Sequence, residues 1–359
     1  SNTIHMTSRD GQHFTEKVLL MTTADYPDDI SCHVRDPKIL KHEGRYYMVL
    51  GARDLESRGL VLVYRSEDLK HWTYCSRIST REPFGYMWEC PDLFFLDGEL
   101  CLISCPQGVP REGIEYENVH QNTFMCIDGD FENGRFLVKE TPVFQAVDRG
   151  FDFYAPQTFL DGRGRRILIG WMGIPEASYE NPTAKDGWQH ALTLPRQLHV
   201  KDGVLYQEPL EELKELRRER WRFADGEQLN VAGELLRRSL GPVFEAEFQF
   251  SGCTSMELQL RAGTRLSLEN GVLSLSIQEG GFGRDTRHGA VKEFRRLRVF
   301  SDVSSLEIFV NDGEMAFSTR VYADCGQEEH EGGYLAFSGN GSMEGTVYGL
   351  ADLQVNRRR

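Results

Sequence analysis

The chain has 359 residues and a formal net charge of −14, with 40% hydrophobic and 27% charged residues. That length exceeds one small core and points to two domains, and so acidic a surface repels phosphate backbones, which excludes nucleic acid as a partner. No apolar run reaches the ~20 residues of a membrane span, no signal peptide is expected, and eight scattered cysteines follow no zinc spacing, so a cytoplasmic protein with reduced thiols and no membrane, metal or cofactor is expected.

Abundant glycine among many short apolar runs favours an all-β chain. The first two hundred residues repeat one unit three times: a short apolar strand, a tight acidic-Gly turn and a second apolar strand. The units are Lys38–Gly44 with Tyr46–Leu50, Asp92–Gly98 with Leu100–Ser104, and Gln157–Gly162 with Arg166–Gly170. Further strands follow, as at Leu60–Tyr64 and Trp72–Cys75. Four-stranded units recurring every ~40–50 residues read as propeller blades, although a plain β-sandwich also has serial hairpins. A proline precedes each hairpin (Pro37, Pro91, Pro156), and polar groups sit just before it: Arg35-Asp36, Glu89-Cys90 and Tyr154-Ala155. If each hairpin opens with the innermost strand of its blade, these groups converge at one end of the central channel.

The catalytic propeller is placed at residues 1–206. Residues 207–220 are expected to be a helical connector, with Pro209 in the first turn and Leu210, Leu213 and Leu216 on one face. From 221 to 359 the chain is β again. Strand-like runs at Phe244–Phe250, Ser255–Leu260 and Leu273–Ile277 precede a strong hairpin around Asn311-Asp312-Gly313, the pattern of a β-sandwich.

The chemistry concentrates in Arg35-Asp36-Pro37 and Trp88-Glu89-Cys90-Pro91-Asp92. Cleaving a glycosidic bond needs one carboxyl group that protonates the leaving oxygen and another that attacks or activates water. A Glu set between Trp88 and an apolar strand is partly desolvated, which favours the protonated form that an acid needs. An Asp beside an arginine stays ionised and suits sugar hydroxyls or positive charge on the ring. Tyr86, Trp88, Phe153 and Tyr154 offer an apolar platform for a sugar. The bland alternatives are concrete. Asp-Pro often only serves turns, a lone Trp88 is more often core than platform, and His33, His120 and His190 read as surface or satisfied polar groups. The coincidence of acids at equivalent places in two repeats outweighs them.

These segments resemble glycoside hydrolase family 32, the invertase and fructanase family. His33-Val34-Arg35-Asp36-Pro37-Lys38 is similar to its Arg-Asp-Pro motif, and Met87-Trp88-Glu89-Cys90-Pro91-Asp92 to its Glu-Cys motif. Phe151–Gln157, Ile169–Met172, Leu192–Arg196 and Ser304–Gly313 resemble further stretches in the same order, so the likeness spans essentially the whole chain. It implies a five-bladed β-propeller followed by a β-sandwich, and cleavage of terminal β-fructofuranosides (sucrose, sucrose 6-phosphate or fructans) with retention through a fructosyl-enzyme intermediate. Residue by residue it implies Glu89 as general acid/base and Asp36 as transition-state stabiliser assisted by Arg35, with Trp88, Asp152 and Tyr154 lining the pocket and no metal.

One departure stands out. The family's nucleophile is an Asp in a Trp-Met-Asn-Asp-Pro-Asn-Gly-like motif of its first blade, and the sequence contains no such motif. The expectation is therefore an incomplete propeller that lacks its N-terminal part, inactive by itself and partnered by the missing segment. The competing readings are a related five-bladed arabinoside hydrolase and a catalytically incomplete sugar-binding protein.

Overall fold

Two-residue turns of acidic or amide residue plus glycine set the registers. A hairpin of this length favours positive φ at both central residues, because that twist matches the strands it joins. Glu43-Gly44, Asp97-Gly98, Asp202-Gly203 and Asn270-Gly271 all adopt it. The third repeat differs: its turn is longer, and Asp161 closes it by accepting from the amides of Arg163 and Arg165 at 2.9 Å each.

The computed structural model describes residues 1–139, 144–224, 242–261, 263–322 and 335–352. The three hairpins open three antiparallel sheets whose four main strands are ordered as in sequence, the second and third each with a short extra strand, Gln145–Ala146 and Ala191–Leu192. The first comprises Ile30–His42, Arg45–Asp54, Gly59–Ser66 and Thr73–Ile78; the second Met87–Leu96, Glu99–Gln107, Thr123–Asp130 and Arg135–Val138. The third comprises Tyr154–Leu160, Arg166–Met172, Arg196–Lys201 and Val204–Pro209. Thr3–His5 and Val18–Met21 pair as a smaller sheet. The inner strands Arg45–Asp54, Gly59–Ser66 and Glu99–Gln107 of the first two blades are buried on both faces, which explains their continuous apolar runs. Tyr47, Val49 and Val63 pack towards the second blade with Trp88 and Leu93, while Met48, Leu50 and Leu62 pack with Met21 and Val34. Phe94, Ile103, Phe153 and Leu168 fill the space between the second and third blades.

The opening strands are tied to one another by the residues that follow the prolines. Lys38 Nζ donates to Gln157 Oε1 at 2.9 Å and to the Thr158 carbonyl at 2.8 Å. Asp92, 1% exposed, accepts from the amide and hydroxyl of Thr158.

The expected helical connector is corrected. Gln207–Pro209 ends a strand, Glu211–Leu216 forms a 3-10 helix, and Arg217 begins the strand Arg217–Phe223. Leu210, Leu213 and Leu216 recur every three residues, the period of the tighter helix. Two sheets then stack as a sandwich. The larger runs in spatial order Arg217–Phe223, Ser342–Leu350, Phe244–Ser251, Arg296–Asp302, Ser305–Val310 and Met315–Arg320; the smaller contains Met256–Arg261, Thr264–Glu269, Val272–Ile277, Thr286–Ala290 and Ala336–Gly339. Phe248, Leu258, Leu266, Leu275, Val299 and Ile308 form its core.

The propeller covers one edge of the sandwich. Backbone bonds Arg149 N→Ala316 O (2.8 Å) and Asp152 N→Ser318 O (3.0 Å) lay residues 149–152 along the edge strand Met315–Arg320, which hides an edge that otherwise invites aggregation. Beside this seam lies Arg196, wholly buried. It donates to Asp148 Oδ2 (3.0 Å), Gln207 Oε1 (2.8 Å), Glu307 Oε2 (2.7 Å) and Ser318 Oγ (2.5 Å), between the rings of Phe153 and Phe309. Removing one partner of such a group strands buried charge at a cost of about 3–5 kcal/mol. Arg196→Met is therefore expected to lower unfolding stability by that amount, measured by urea titration; an unchanged midpoint excludes the network as the joint.

Candidate active site

At the end of the channel three residues adopt one rare conformation. Asp36 (φ 58°), Cys90 (φ 48°) and Ala155 (φ 48°) are left-handed, and each directly precedes the proline of its blade. Positive φ is uncommon outside glycine, and the residue before proline normally stays extended. In each blade the strand pairing shifts register here, at Arg35/Lys38, Glu89/Asp92 and Tyr154/Gln157. These are bulges, which re-aim side chains.

The re-aimed side chains meet. Arg35 Nη1 donates to Glu89 Oε1 at 3.0 Å, and the Tyr154 hydroxyl donates to Glu89 Oε2 at 2.9 Å. Asp36 Oδ2 accepts the amide of Cys90 at 2.9 Å. All three blades thus contribute to one constellation. The Glu89 side chain keeps 14% of its surface exposed and Arg35 keeps 41%, so both open towards solvent. Arg35 also contacts His33 Nδ1 at 3.0 Å, which gives a neighbour to a histidine that the sequence left as a lone polar group. Tyr154 is almost wholly buried. Burial, with the Cys105 thiol and the Glu89 carboxylate nearby, pushes its phenol far above the ordinary range, so it remains a donor at any working pH. Burial, then Glu176 and Glu89, also push Tyr86 up.

Two expected lining residues lie elsewhere. Trp88 is 0% exposed and packs between the first two blades, its indole donating to the Phe84 carbonyl at 2.7 Å. Side chains alternate along a strand, so with Glu89 aimed into the channel its neighbour faces the apolar layer. Asp152 is 1% exposed. It accepts from Arg284 at 2.7 Å on both oxygens and from the Arg320 amide at 2.8 Å, so it faces the sandwich and not the pocket. Phe153, offered as a platform, is core. His120 is 2% exposed with Nε2 3.5 Å from Glu176, neither a surface nor a hydrogen-bonded group. Sequence reasoning missed Lys38 and Arg284. Lys38 carried a signal, since it follows Pro37 as Asp92 follows Pro91 and Gln157 follows Pro156; Arg284 carried none.

Among the described residues no three His, Cys, Asp or Glu side chains are grouped to hold a metal ion, and no helix is long and apolar enough to cross a membrane. Seven cysteines are free thiols; Cys325 lies outside the described residues.

The Asp36 bond to Cys90 has a structural consequence. Asp36→Ala leaves a half-buried amide without its acceptor, at a cost of about 1–3 kcal/mol, whereas Asp36→Asn retains an oxygen at the same place. Chemical denaturation should show the Ala variant clearly less stable than the Asn variant; equal losses would mean that the bond does not hold the two bulges together.

Comparison with known proteins accords with this architecture. Residues 2–209 match the N-terminal domain of glycosyl hydrolases family 32 and residues 212–356 its C-terminal domain. A sucrose-6-phosphate hydrolase of Salmonella typhimurium is 40% identical over 329 residues, which cover 87% of this chain and 64% of the relative. One from Bacillus subtilis is 32% identical, with 97% and 70% covered. The chain thus spans a little under two thirds of the Salmonella relative's length. Among solved structures, sucrose-6-phosphate hydrolase from Lactobacillus gasseri superposes with a TM-score of 0.83 at 26% identity, covering 97% of this chain and 72% of that one. A Bombyx mori beta-fructofuranosidase superposes at 0.74 with 30% identity, covering 96% and 71%. The β-propeller joined to a β-sandwich, both domain matches and these relatives together make this chain a member of glycoside hydrolase family 32.

Proposed function

We propose that the chain forms the acid/base side of a retaining β-fructofuranosidase whose substrates are sucrose-type fructosides, including sucrose 6-phosphate. The observation that carries this is Glu89, mostly buried but open to solvent on one side and braced on both oxygens by Arg35 and Tyr154, beside Asp36. Relatives named as sucrose-6-phosphate hydrolases support the substrate class. Nothing comparable supports an arabinoside substrate or a purely binding role.

In this mechanism Glu89 gives its proton to the glycosidic oxygen as the bond to the fructosyl carbon breaks, and takes one from water in the second step. Arg35 and Tyr154 hold the carboxyl group in one orientation through both steps. Asp36 accepts hydrogen bonds from fructose hydroxyls, which strengthen as positive charge grows on the ring. The attacking carboxylate is a third group. Asp152 is unsuited to that role, since Arg284 occupies both its oxygens. The free thiols suit a reducing compartment such as the cytoplasm.

Fructose release from sucrose and from sucrose 6-phosphate tests the assignment, both for residues 1–359 and for the polypeptide as the cell makes it. No release from either substrate by either form would overturn it, and faster cleavage of arabinofuranosides would redirect it.

Two variants test the roles. Glu89→Gln should lower kcat on sucrose by roughly 10²–10⁴-fold, and by less on an activated fructoside whose leaving group needs no proton. Near-normal sucrose turnover removes Glu89 from the role. Asp36→Asn should depress kcat far more than it moves KM; a raised KM with unchanged kcat would make Asp36 a ground-state binding group only.

A further inference from the structure

Arg284 belongs to the sandwich, between the 3-10 turn Glu279–Gly281 and the strand Thr286–Ala290, yet its side chain is buried against the propeller. A guanidinium offers five N–H donors, and here all five are used. Nε donates to Asp152 Oδ2 (2.7 Å). Nη2 donates to Asp152 Oδ1 (2.7 Å) and Asn181 Oδ1 (2.8 Å). Nη1 donates to the carbonyls of Glu180 (3.0 Å) and Gly281 (3.1 Å). Its Cζ lies over the Tyr179 ring, 4.3 Å from the centroid.

Two separate propeller segments therefore meet on one sandwich side chain. The first, Phe151–Tyr154, leads through Asp152 into the tyrosine that donates to Glu89. The second is the loop after Met172. Its Ile174, Ala177 and Tyr179 pack around Tyr154 together with Cys90, Cys105 and Trp171, and Tyr179 donates its hydroxyl to the Phe151 carbonyl. The edge strand Met315–Arg320 also holds Asp152 through its backbone, but this guanidinium is the one sandwich group among the described residues whose side chain bonds both segments at once. Lysine cannot replace it, because an ammonium has three donors and no fork.

We propose that Arg284 is a positioning residue for Glu89, acting through Asp152 and Tyr154, so that the sandwich sets the geometry of a pocket built in the propeller. The inference rests on the acid/base assignment of Glu89. A hydrogen bond weakens steeply with misalignment, and a displacement of about 1 Å in a catalytic group can cost ~10²-fold in rate.

A double-mutant cycle on the fructoside-cleaving protein tests it, with Arg284→Lys, Tyr154→Phe and the double variant. Arg284→Lys should lower kcat by roughly 10–10²-fold with KM within about threefold, and the double variant should be scarcely slower than Tyr154→Phe alone, because both remove one device. Multiplicative losses would overturn the proposal. Hydrogen–deuterium exchange supplies a readout independent of turnover. Arg284→Lys should speed exchange in Phe151–Tyr154 and in residues 174–180, while Arg45–Asp54 of the first blade stays at the wild-type rate. Uniformly faster exchange, with a lowered Tm, would make Arg284 a general brace and overturn the positioning role. If the unmutated protein cleaves no fructoside, the functional reading fails, and the exchange pattern alone decides whether Arg284 places Tyr154.

Discussion

A left-handed residue directly before proline is a conformation that sequences avoid, because proline crowds the residue ahead of it. Here it occurs at Asp36, Cys90 and Ala155, in the opening strand of each of three blades. Each bulge interrupts the ladder of its hairpin and turns the flanking side chains towards the channel mouth. Without the bulges Arg35, Glu89 and Tyr154 would follow the ordinary alternation of a strand and would not converge. Strain of this kind costs of order 1–3 kcal/mol per residue and persists only where the surroundings over-determine it. The surroundings here are specific. Asp36 accepts the Cys90 amide, which couples two bulges, and Lys38, Asp92 and Thr158 bind the same strands one step further along.

The second organising element is buried charge at the seam. Asp148 and Asp152 come from the propeller; Glu307 and Arg284 come from the sandwich; Arg196 lies between. Such pairs add little net stability against well-packed apolar residues, but they penalise any arrangement that leaves one member alone. They therefore specify how the two domains meet. Gly150 enforces the same specificity by shape, since a Cβ there would stand 2.0 Å from the Ser318 carbonyl oxygen.

Much of this was legible in the sequence, and what was not has physical reasons. The acidic-Gly pairs announced hairpins because only a few residue types accept positive φ in succession. The prolines marked the bulges because they recur at one point of a repeat. The grouping of Arg35, Asp36, Glu89 and Tyr154 was legible for the same reason, since each stands one or two residues before one of those prolines. Trp88 was misplaced because adjacency is not orientation: a strand sends neighbours to opposite faces. Asp152 was misplaced because its partner lies 132 residues away in the other domain, a separation at which sequence carries no pairing signal. The connector was read with the wrong helical period, although its leucines were spaced by three.

The seam also bears on the order of events during synthesis. The strand Met315–Arg320 ends its sheet, and its outer row of backbone groups is met by residues 149–152. A ribosome delivers those residues well before the strand that they cover, and domains tend to fold as they emerge. The cap is thus in place when this edge strand arrives. That edge need never stand bare before another newly made chain, and the arrangement gives the nascent molecule protection from cross-pairing there at the stage when it is most exposed.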